Sequence, residues 1–221
     1  EDAIQRVLNR ESNDILNAAR RKSLAEFRSW LEGFLEEHQG FWRDRMWATI
    51  WTLAQLSANE AHREASAAGY DEQMADDAVE LFSRGVVAGH ASGWVGQLQS
   101  QLDADLDAAA DDAWQAAVEA RITGRREEMA AGWSRDMGTT VVNALAVAVW
   151  TAVGVQLLRW VSFNENCPYC EALNGRVVGV NEWFVPQGGE VAPEGLPPLR
   201  PHRNTRHAPL HDGCDCMVTI G

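Results

Sequence analysis

Apolar residues recur three or four positions apart over the first part of the chain, which is the period of amphipathic α-helices. Between residues 2 and 37 this pattern predicts one long helix, which ends near Gln39-Gly40. A second helix is predicted from Phe41 to about Ala67. Because the connection between them is so short, we expect the two helices to pack as a hairpin.

The following segment is also predicted to be helical. Gly69 is typical of a helix C-terminus and Asp71 of the next N-terminus. A helix is predicted from there to about residue 122, with a break or a close helix contact at its glycines. A shorter helix over about 125–136 leads into an uncharged helix over 138–158.

The pattern changes after residue 158 to short strands and loops. Residues 159–163 alternate like a strand, Asn174-Gly175 is a turn signal, and residues 176–180 would return as the second strand of a β-hairpin. Residues 216–220 predict a last strand, after a loop rich in proline and glycine.

These elements predict a mainly α fold, in which a long-helix body carries a small C-terminal β-hairpin and loop module closed by a cysteine cluster. We expect two domains. Residues 1–138 would form the helical body, and residues 139–221 would form a C-terminal domain of a core helix plus the cysteine-rich module. Because the chain begins without Met inside a predicted helix, we also expect it to be a fragment or a processed product.

The 22 residues from Met137 to Leu158 carry no charge and are long enough to span a bilayer. Polar side chains such as Asn143 and Gln156 interrupt the run, and many of its apolar residues are alanines. We therefore predict a buried core helix and no membrane association.

The net charge of −13 is concentrated in the middle of the chain, where residues 61–138 carry 15 acidic and 6 basic side chains. Such a surface repels phosphate, so the body is a poor candidate for binding nucleic acid. The chain also has ten tryptophans. We expect most of them to fill the core, and we predict that Trp42, Trp47 and Trp51 contact a protein partner.

All four cysteines lie in the last 55 residues, as the pairs Cys167-x-x-Cys170 and Cys214-x-Cys216, and His211 precedes the second pair. Thiolates at this spacing can hold a tetrahedral Zn²⁺ ion as a Cys₄ or Cys₃His site. We predict one structural zinc ion on the four cysteines, with His211 replacing one thiolate or donating a hydrogen bond to one. Disulfides, unliganded thiols and a redox C-x-x-C pair remain open alternatives.

Two further functions would use the same residues. A zinc-dependent nuclease or hydrolase would need an open coordination position and a general base, whereas four thiolates can close the site, so we predict no enzymatic activity. A nucleic-acid-binding zinc module could use the basic loop beside the cysteines, although the charge supports only weak, salt-sensitive contact. The loop contains Arg200, His202, Arg203, Arg206 and His207.

The C-terminal residues resemble the C-terminal domain of phage head morphogenesis proteins, the Mu protein F type of minor head protein. The resemblance covers about residues 139–220. Its motifs are Trp160-Val161-Ser162, Cys167-Pro168-Tyr169-Cys170, Leu173-Asn174-Gly175-Arg176-Val177-Val178 and Pro209-Leu210-His211-Asp212-Gly213-Cys214-Asp215-Cys216. Asp215 stands where the family usually has arginine.

The resemblance implies a virion component that takes part in capsid assembly. Its expected partners are the portal protein, the major capsid protein or both, and it would work as a homo-oligomer around the portal. Its expected location is the virion interior, and the host cytoplasm during assembly.

Overall fold

The computed structural model describes residues 2–163 and 167–221, and for residues 128–131 it describes the backbone only. The chain is mainly helical with a small antiparallel sheet near the C-terminus, which confirms the predicted fold class. The helices are α1 (Asp2–Arg21), α2 (Leu24–Ala67), α3 (Asp76–Ala108), α4 (Trp114–Ala152) and α5 (Pro168–Glu171). The strands are β1 (Leu157–Val161), β2 (Val177–Gly179) and β3 (Met217–Ile220).

The first helix boundary lies at residues 22–23, so the prediction of one helix over residues 2–37 was wrong. Ser23 and Glu26 form a capping box, in which the Ser23 backbone N–H donates to the Glu26 carboxylate at 2.9 Å. The Glu26 N–H donates back to the Ser23 hydroxyl at 3.4 Å. These bonds satisfy backbone groups at the start of α2 and fix the end of the preceding turn.

The predicted helix end and hairpin at Gln39-Gly40 were also wrong. So was the predicted single helix from Asp71 to about residue 122, because the break between α3 and α4 lies at residues 109–113 and not at the glycines. Helix α2 continues through Gly40, and α3 continues through Gly85 and Gly96. The predicted helices over 125–136 and 138–158 are one helix, α4. An internal glycine costs a helix about 1 kcal/mol relative to alanine, which is too little to end a long, packed helix.

Glycine does follow the ends of α2 and α4, the two helices predicted to end near Gly69 and after the uncharged run. In both cases a glycine with positive φ, Gly69 at +91° and Gly154 at +88°, follows the last helical turn. At the end of α4, the Val155 N–H donates to the Trp150 carbonyl at 2.9 Å and the Gly154 N–H to the Thr151 carbonyl at 3.3 Å. This is a Schellman motif, and it ends the helix six residues earlier than the charge pattern predicts.

The sheet has the order β2-β1-β3, with antiparallel pairing on both sides of β1. The turn between β1 and β2 contains Gly175, whose φ of +76° favours glycine. The hairpin and the last strand therefore confirm the predicted strands, with shifted ends.

The chain forms two compact units, each built from segments that are distant in sequence. Unit 1 contains Glu1–Thr49 and Arg84–Ser134, and unit 2 contains Ile50–Ser83 and Arg135–Gly221. The predicted domain boundary at residue 138 stays a prediction. No helix among the described residues combines the length and apolar character needed to cross a membrane.

The core of each unit is mainly apolar and rich in tryptophan. In unit 1, Trp42 and Trp94 are fully buried, with their ring centroids 6.3 Å apart. In unit 2, Trp150 and Trp160 are fully buried, and the Trp150 Nε1–H donates to the Ala61 carbonyl at 3.1 Å. With Trp114, five of the ten tryptophans are buried and have the expected packing role.

Candidate metal centre

The first cysteine pair lies on one short turn of helix. Cys167 has extended backbone dihedrals, and Pro168 begins α5 directly after it. The Glu171 N–H donates to the Cys167 carbonyl at 3.0 Å, which closes the turn. Proline suits this first helical position because its missing N–H would have no partner there. The turn places the side chains of Cys167 and Cys170 on the same side.

The second pair follows a tight turn that starts at His211. The Cys214 N–H donates to the His211 carbonyl at 3.1 Å, and Gly213 within the turn has a φ of +76°. A side chain at position 213 would be strained in this conformation. Cys214 and Cys216 are both buried, and β3 begins immediately after them.

Two polar side chains of α4 hold this second segment by its backbone. The Gly213 N–H donates to the Asp136 carboxylate at 2.9 Å. The Asn143 amide donates to the Cys216 carbonyl at 3.2 Å and accepts from the Val218 N–H at 2.8 Å. Asp136 and Asn143 are seven residues apart, which places them on one face of the helix. The helix therefore positions the segment that carries Cys214 and Cys216.

These turns bring all four cysteines and His211 together. The donor atoms of Cys167, Cys170 and His211 lie within 4.8 Å of one another, and so do those of Cys170, Cys214 and Cys216. Cys170 belongs to both groups. The Cys170 and Cys214 sulfurs are 3.6 Å apart. The cluster is thus a compact set of soft donors that could hold one metal ion.

His211 is oriented by its other ring nitrogen. Its Nδ1–H donates to the Asp212 carbonyl at 2.8 Å. Its Nε2 lies 3.0 Å from the Cys167 sulfur and 3.2 Å from the Cys170 sulfur. A histidine that binds a metal commonly donates its second N–H to a backbone carbonyl in this way.

The thiols differ in how readily they ionise. Hydrogen bonds from the Cys170 and Cys216 thiols hold the pKa of Cys214 far below that of a free cysteine. The same contact raises the pKa of Cys170, because its proton is shared with the Cys214 sulfur and its ionisation would place a second charge beside the first. A divalent cation would remove this conflict by favouring the thiolate form of every ligand.

No disulfide joins the four cysteines. The 3.6 Å between the Cys170 and Cys214 sulfurs is well beyond the about 2.05 Å of a disulfide bond. In a tetrahedral zinc site with zinc–sulfur distances of about 2.3 Å, two sulfurs are about 3.8 Å apart, which is close to the distance between these two sulfurs. The donor set and its spacing therefore fit a tetrahedral thiophilic metal.

The three tryptophans predicted to contact a partner have different environments. Trp42 is fully buried in unit 1, so the expectation of a surface role for it was wrong. Trp47 is half-buried in unit 1 and lines a cavity of about 450 Å³. The Arg84 guanidinium lies over the Trp47 ring, with its carbon 4.2 Å from the ring centroid. Trp51 is half-buried in unit 2 and lines a cavity of about 310 Å³ with His62. Partner binding by Trp47 and Trp51 stays a prediction.

Much of the basic loop is engaged in contacts within the module. Arg200 pairs with Glu190 at 3.1 Å, and Arg206 donates to the Val180 carbonyl and to the Asn181 side chain. The His207 ring is half-buried, and its burial lowers its pKa. These contacts leave less positive charge available to phosphate than the sequence alone indicates.

Sequence reasoning identified the cysteines and His211 but missed the roles of Asp136 and Asn143. Asn143 is conspicuous as a polar residue within an uncharged helix. Its partners, the Cys216 carbonyl and the Val218 N–H, are more than 70 residues away in sequence, so no local pattern identifies them.

Replacing Asn143 with alanine should destabilise unit 2 and weaken metal binding. The Val218 N–H would lose its partner in a buried setting, which costs about 1–3 kcal/mol of unfolding free energy. Metal affinity should fall about 10–100-fold, as when the hydrogen-bond partners of metal-site residues are removed. Urea denaturation and chelator competition would measure the two effects. The matched control is Asn9→Ala on the exposed side of α1, and equal losses in both variants would contradict the assigned role.

Comparisons of the chain with family models, curated proteins and solved structures found no match. The resemblance to minor head proteins of the Mu F type therefore rests on the motif residues, and the function has to be inferred from the site.

Proposed function

We propose that this chain is a non-enzymatic phage head morphogenesis protein of the Mu F type, whose C-terminal module is closed by a structural zinc ion. The observation that carries the proposal is the meeting of the C-x-x-C turn with the C-x-C segment in one buried cluster. The two pairs are separated by 43 residues with little regular structure. A cross-link between them offsets the entropy of ordering that loop.

Zinc is the metal that best suits the donors. Three of the four cysteines are buried, and sulfur ligands with one imidazole in a compact cluster favour tetrahedral Zn²⁺ over the oxygen-seeking Mg²⁺ and Ca²⁺. We propose that the ion is held by Cys167, Cys170, Cys214 and Cys216. His211 either donates a hydrogen bond to a thiolate or takes the place of Cys167. The ion would supply structural cross-linking and the charge that stabilises the thiolates.

Elemental analysis together with a thiol count tests this assignment. Protein purified without chelator should contain one zinc ion per chain, and the unfolded, chelated chain should expose four reactive thiols. The reason is that zinc and a disulfide are mutually exclusive uses of the same sulfurs. Substoichiometric metal in protein made with ample zinc, or fewer than four thiols before reduction, contradicts the zinc assignment.

A structural role is favoured over catalysis by the number of ligands. Five donors are available for four tetrahedral positions, so the ion can be enclosed by protein without an open position for water. The nearby Asp136 carboxylate already accepts the Gly213 N–H, and this bond fixes the backbone of the cluster. The zinc-dependent nuclease or hydrolase remains the alternative, and metal-dependent cleavage of nucleic acid abolished by Cys214→Ser without unfolding would establish it.

A nucleic-acid-binding module is the weaker alternative. The net charge of −13 and the internal pairing of Arg200 and Arg206 both reduce attraction to phosphate. At most weak contact with packaged DNA is expected.

The proposed partners are the portal protein, the major capsid protein or both, inside the virion and in the host cytoplasm during assembly. Particles assembled without this gene product should show defects in head formation or infectivity, and the purified chain should bind its phage's portal protein. Nuclease and DNA-binding assays of the chain should be negative. Normal, infectious particles and no portal binding would contradict the head assignment while leaving the zinc assignment intact.

A further inference from the structure

The sheet of unit 2 has one buried face and one exposed face. Leu158, Trp160 and Val218 lie on the buried face. On the other face, the register places Arg159 opposite both Val177 on β2 and Thr219 on β3, and places Val161 opposite Met217. Paired residues of adjacent strands share a face, so these side chains form one surface. We call it the outer sheet face.

The outer sheet face is largely apolar although it is exposed. Leu157 is 46% exposed, Val177 43% and Met217 37%. Phe163, two residues beyond β1, is 59% exposed. Scattered exposed apolar residues are normal, but a contiguous group on one small sheet is typical of an interaction surface.

Arg159 lies at the centre of this surface. Its side chain is exposed, and within residues 2–163 and 167–221 it has neither an ion-pair nor a hydrogen-bond partner. A partner that covers this surface and brings a carboxylate would neutralise the guanidinium, and a buried unpaired charge would be costly. Such a partner would also bring an apolar side chain for Leu157 and Val177.

The start of α3 offers this combination. Leu81 is 74% exposed, more than any other large apolar side chain in the described part of the chain. Asp77, one turn earlier, lies on the same side of the helix. Its carboxylate accepts the Ala78 N–H at 2.8 Å, and no cation pairs with it among the described residues. The other strongly exposed leucine, Leu56, lacks such a free carboxylate because Glu60, one turn later, pairs with Arg63.

The spacings of the two surfaces agree. Residues four apart on a helix are separated by about 6 Å along its axis. On the sheet, Arg159 is about 5 Å from Val177 across the strands and about 7 Å from Leu157 along β1. A helix lying on the sheet can thus place a carboxylate at Arg159 and a leucine on Leu157 and Val177 at the same time.

We propose that the outer sheet face of one copy of this chain binds the Asp77–Leu81 segment of a second copy. Asp77 pairs with Arg159, and Leu81 packs on Leu157 and Val177. Each copy carries both surfaces, so the contact forms either twice in a two-fold dimer or once per neighbour in a ring or an open chain of copies. The inference does not depend on the phage assignment.

Sedimentation velocity of the full, zinc-loaded chain over a range of concentrations tests the contact. Arg159→Glu and Asp77→Arg should each weaken self-association at least about tenfold, because each places like charges together. The double variant with both changes should restore association, because it recreates an opposite-charge pair. Leu81→Asp should also abolish association.

The matched controls are Glu72→Arg and Arg203→Glu, which make the same charge changes at exposed positions outside the two surfaces. Both should associate like the unmodified chain, and thermal melting followed by circular dichroism should show that every variant is folded. A chain that stays monomeric at about 100 μM, where a micromolar contact would be mostly formed, overturns the proposal. Self-association that is unchanged in Arg159→Glu and Leu81→Asp also overturns it. The same holds if the double variant with Arg159→Glu and Asp77→Arg does not regain self-association.

Discussion

Replacing Cys170 with serine is expected to remove the metal from the chain and to unfold its C-terminal module. Cys170 is the one residue that belongs to both groups of donor atoms, so its loss breaks both groups, whereas the loss of Cys167 breaks only one. Structural zinc sites contribute about 10–16 kcal/mol of apparent binding free energy, which exceeds the stability of a small module. The long loop between the cysteine pairs should then become accessible to protease.

The control for this experiment is Cys167→Ser. Cys167 is the one cysteine that is not fully buried, and His211 Nε2 lies 3.0 Å from its sulfur. His211 can therefore take the vacated position, and this variant should keep zinc with reduced affinity. Adding His211→Ala to Cys167→Ser removes the substitute and should reproduce the Cys170→Ser result.

Zinc content, limited proteolysis and hydrogen exchange of residues 167–221 would measure these effects. Stoichiometric zinc and unchanged protection in Cys170→Ser would contradict the proposed site. A chelator should unfold the module of the unmodified chain while a reductant alone leaves it folded. The opposite pattern would indicate a disulfide instead.

The sequence predicts the general fold because helical and strand periodicities are local properties. The cysteine cluster was predictable for a similar reason. Each close pair is a local motif on one short turn, and a single long-range contact between the two motifs is enough to form the cluster. The Asn174-Gly175 turn likewise predicted the hairpin of β1 and β2.

The helix ends are less predictable from the sequence, because several local signals compete at each of them. Gly40 and Gly85 are local signals for a helix end, yet α2 and α3 continue through them. The capping box of Ser23 and Glu26 is a sequence signal for a helix start, but it lies within an apolar stripe that continues past it and predicts one helix. Summed helix packing outweighs a single glycine, whereas a cap that satisfies backbone N–H groups can separate two helices.

Contacts between distant segments were not predictable from one sequence. Asp136 and Asn143 hold backbone groups that follow them by more than 70 residues. Glu11 gives a partial exception. It lies in register with Leu8 and Ile15 on the buried stripe of α1, where a carboxylate indicates a buried polar contact.

The interior of unit 1 contains a charged network centred on Glu11. Its carboxylate accepts the Trp94 Nε1–H at 2.6 Å and lies 3.1 Å from the His38 Nε2 and 3.2 Å from the Arg125 Nε. Glu11, His38 and Arg125 are all buried. Arg125 also donates to the Gln101 side chain at 2.9 Å. The network joins α1, α2, α3 and α4 within this unit.

The Glu11 carboxyl is held in its charged form by these contacts. Burial alone would raise its pKa, but the His38 hydrogen bond, the Arg125 charge and the Trp94 hydrogen bond together lower it below the ordinary value of 4.5. A lowered pKa in the folded state contributes stability that is fully present above the pKa of the unfolded chain. That contribution is lost as the pH falls below about 4.5 and through the folded pKa.

Glu11→Gln is therefore expected to destabilise unit 1 by about 3–5 kcal/mol at pH 7, because it leaves the Arg125 charge buried without a counter-charge. Adding Arg125→Met removes the stranded charge and should recover most of the loss, since a buried ion pair replaced by apolar groups is often close to neutral. Glu119→Gln, which breaks only the exposed pair with Arg20, should cause a far smaller change.

Urea denaturation between pH 3 and pH 7 would measure these differences. The gap between the unmodified chain and Glu11→Gln should narrow as the pH falls below about 4.5, because protonation of Glu11 removes the same charge that the substitution removes. A gap that stays constant with pH, or a double variant as unstable as Glu11→Gln alone, would mean that lost packing and hydrogen bonds rather than the stranded Arg125 charge cause the destabilisation.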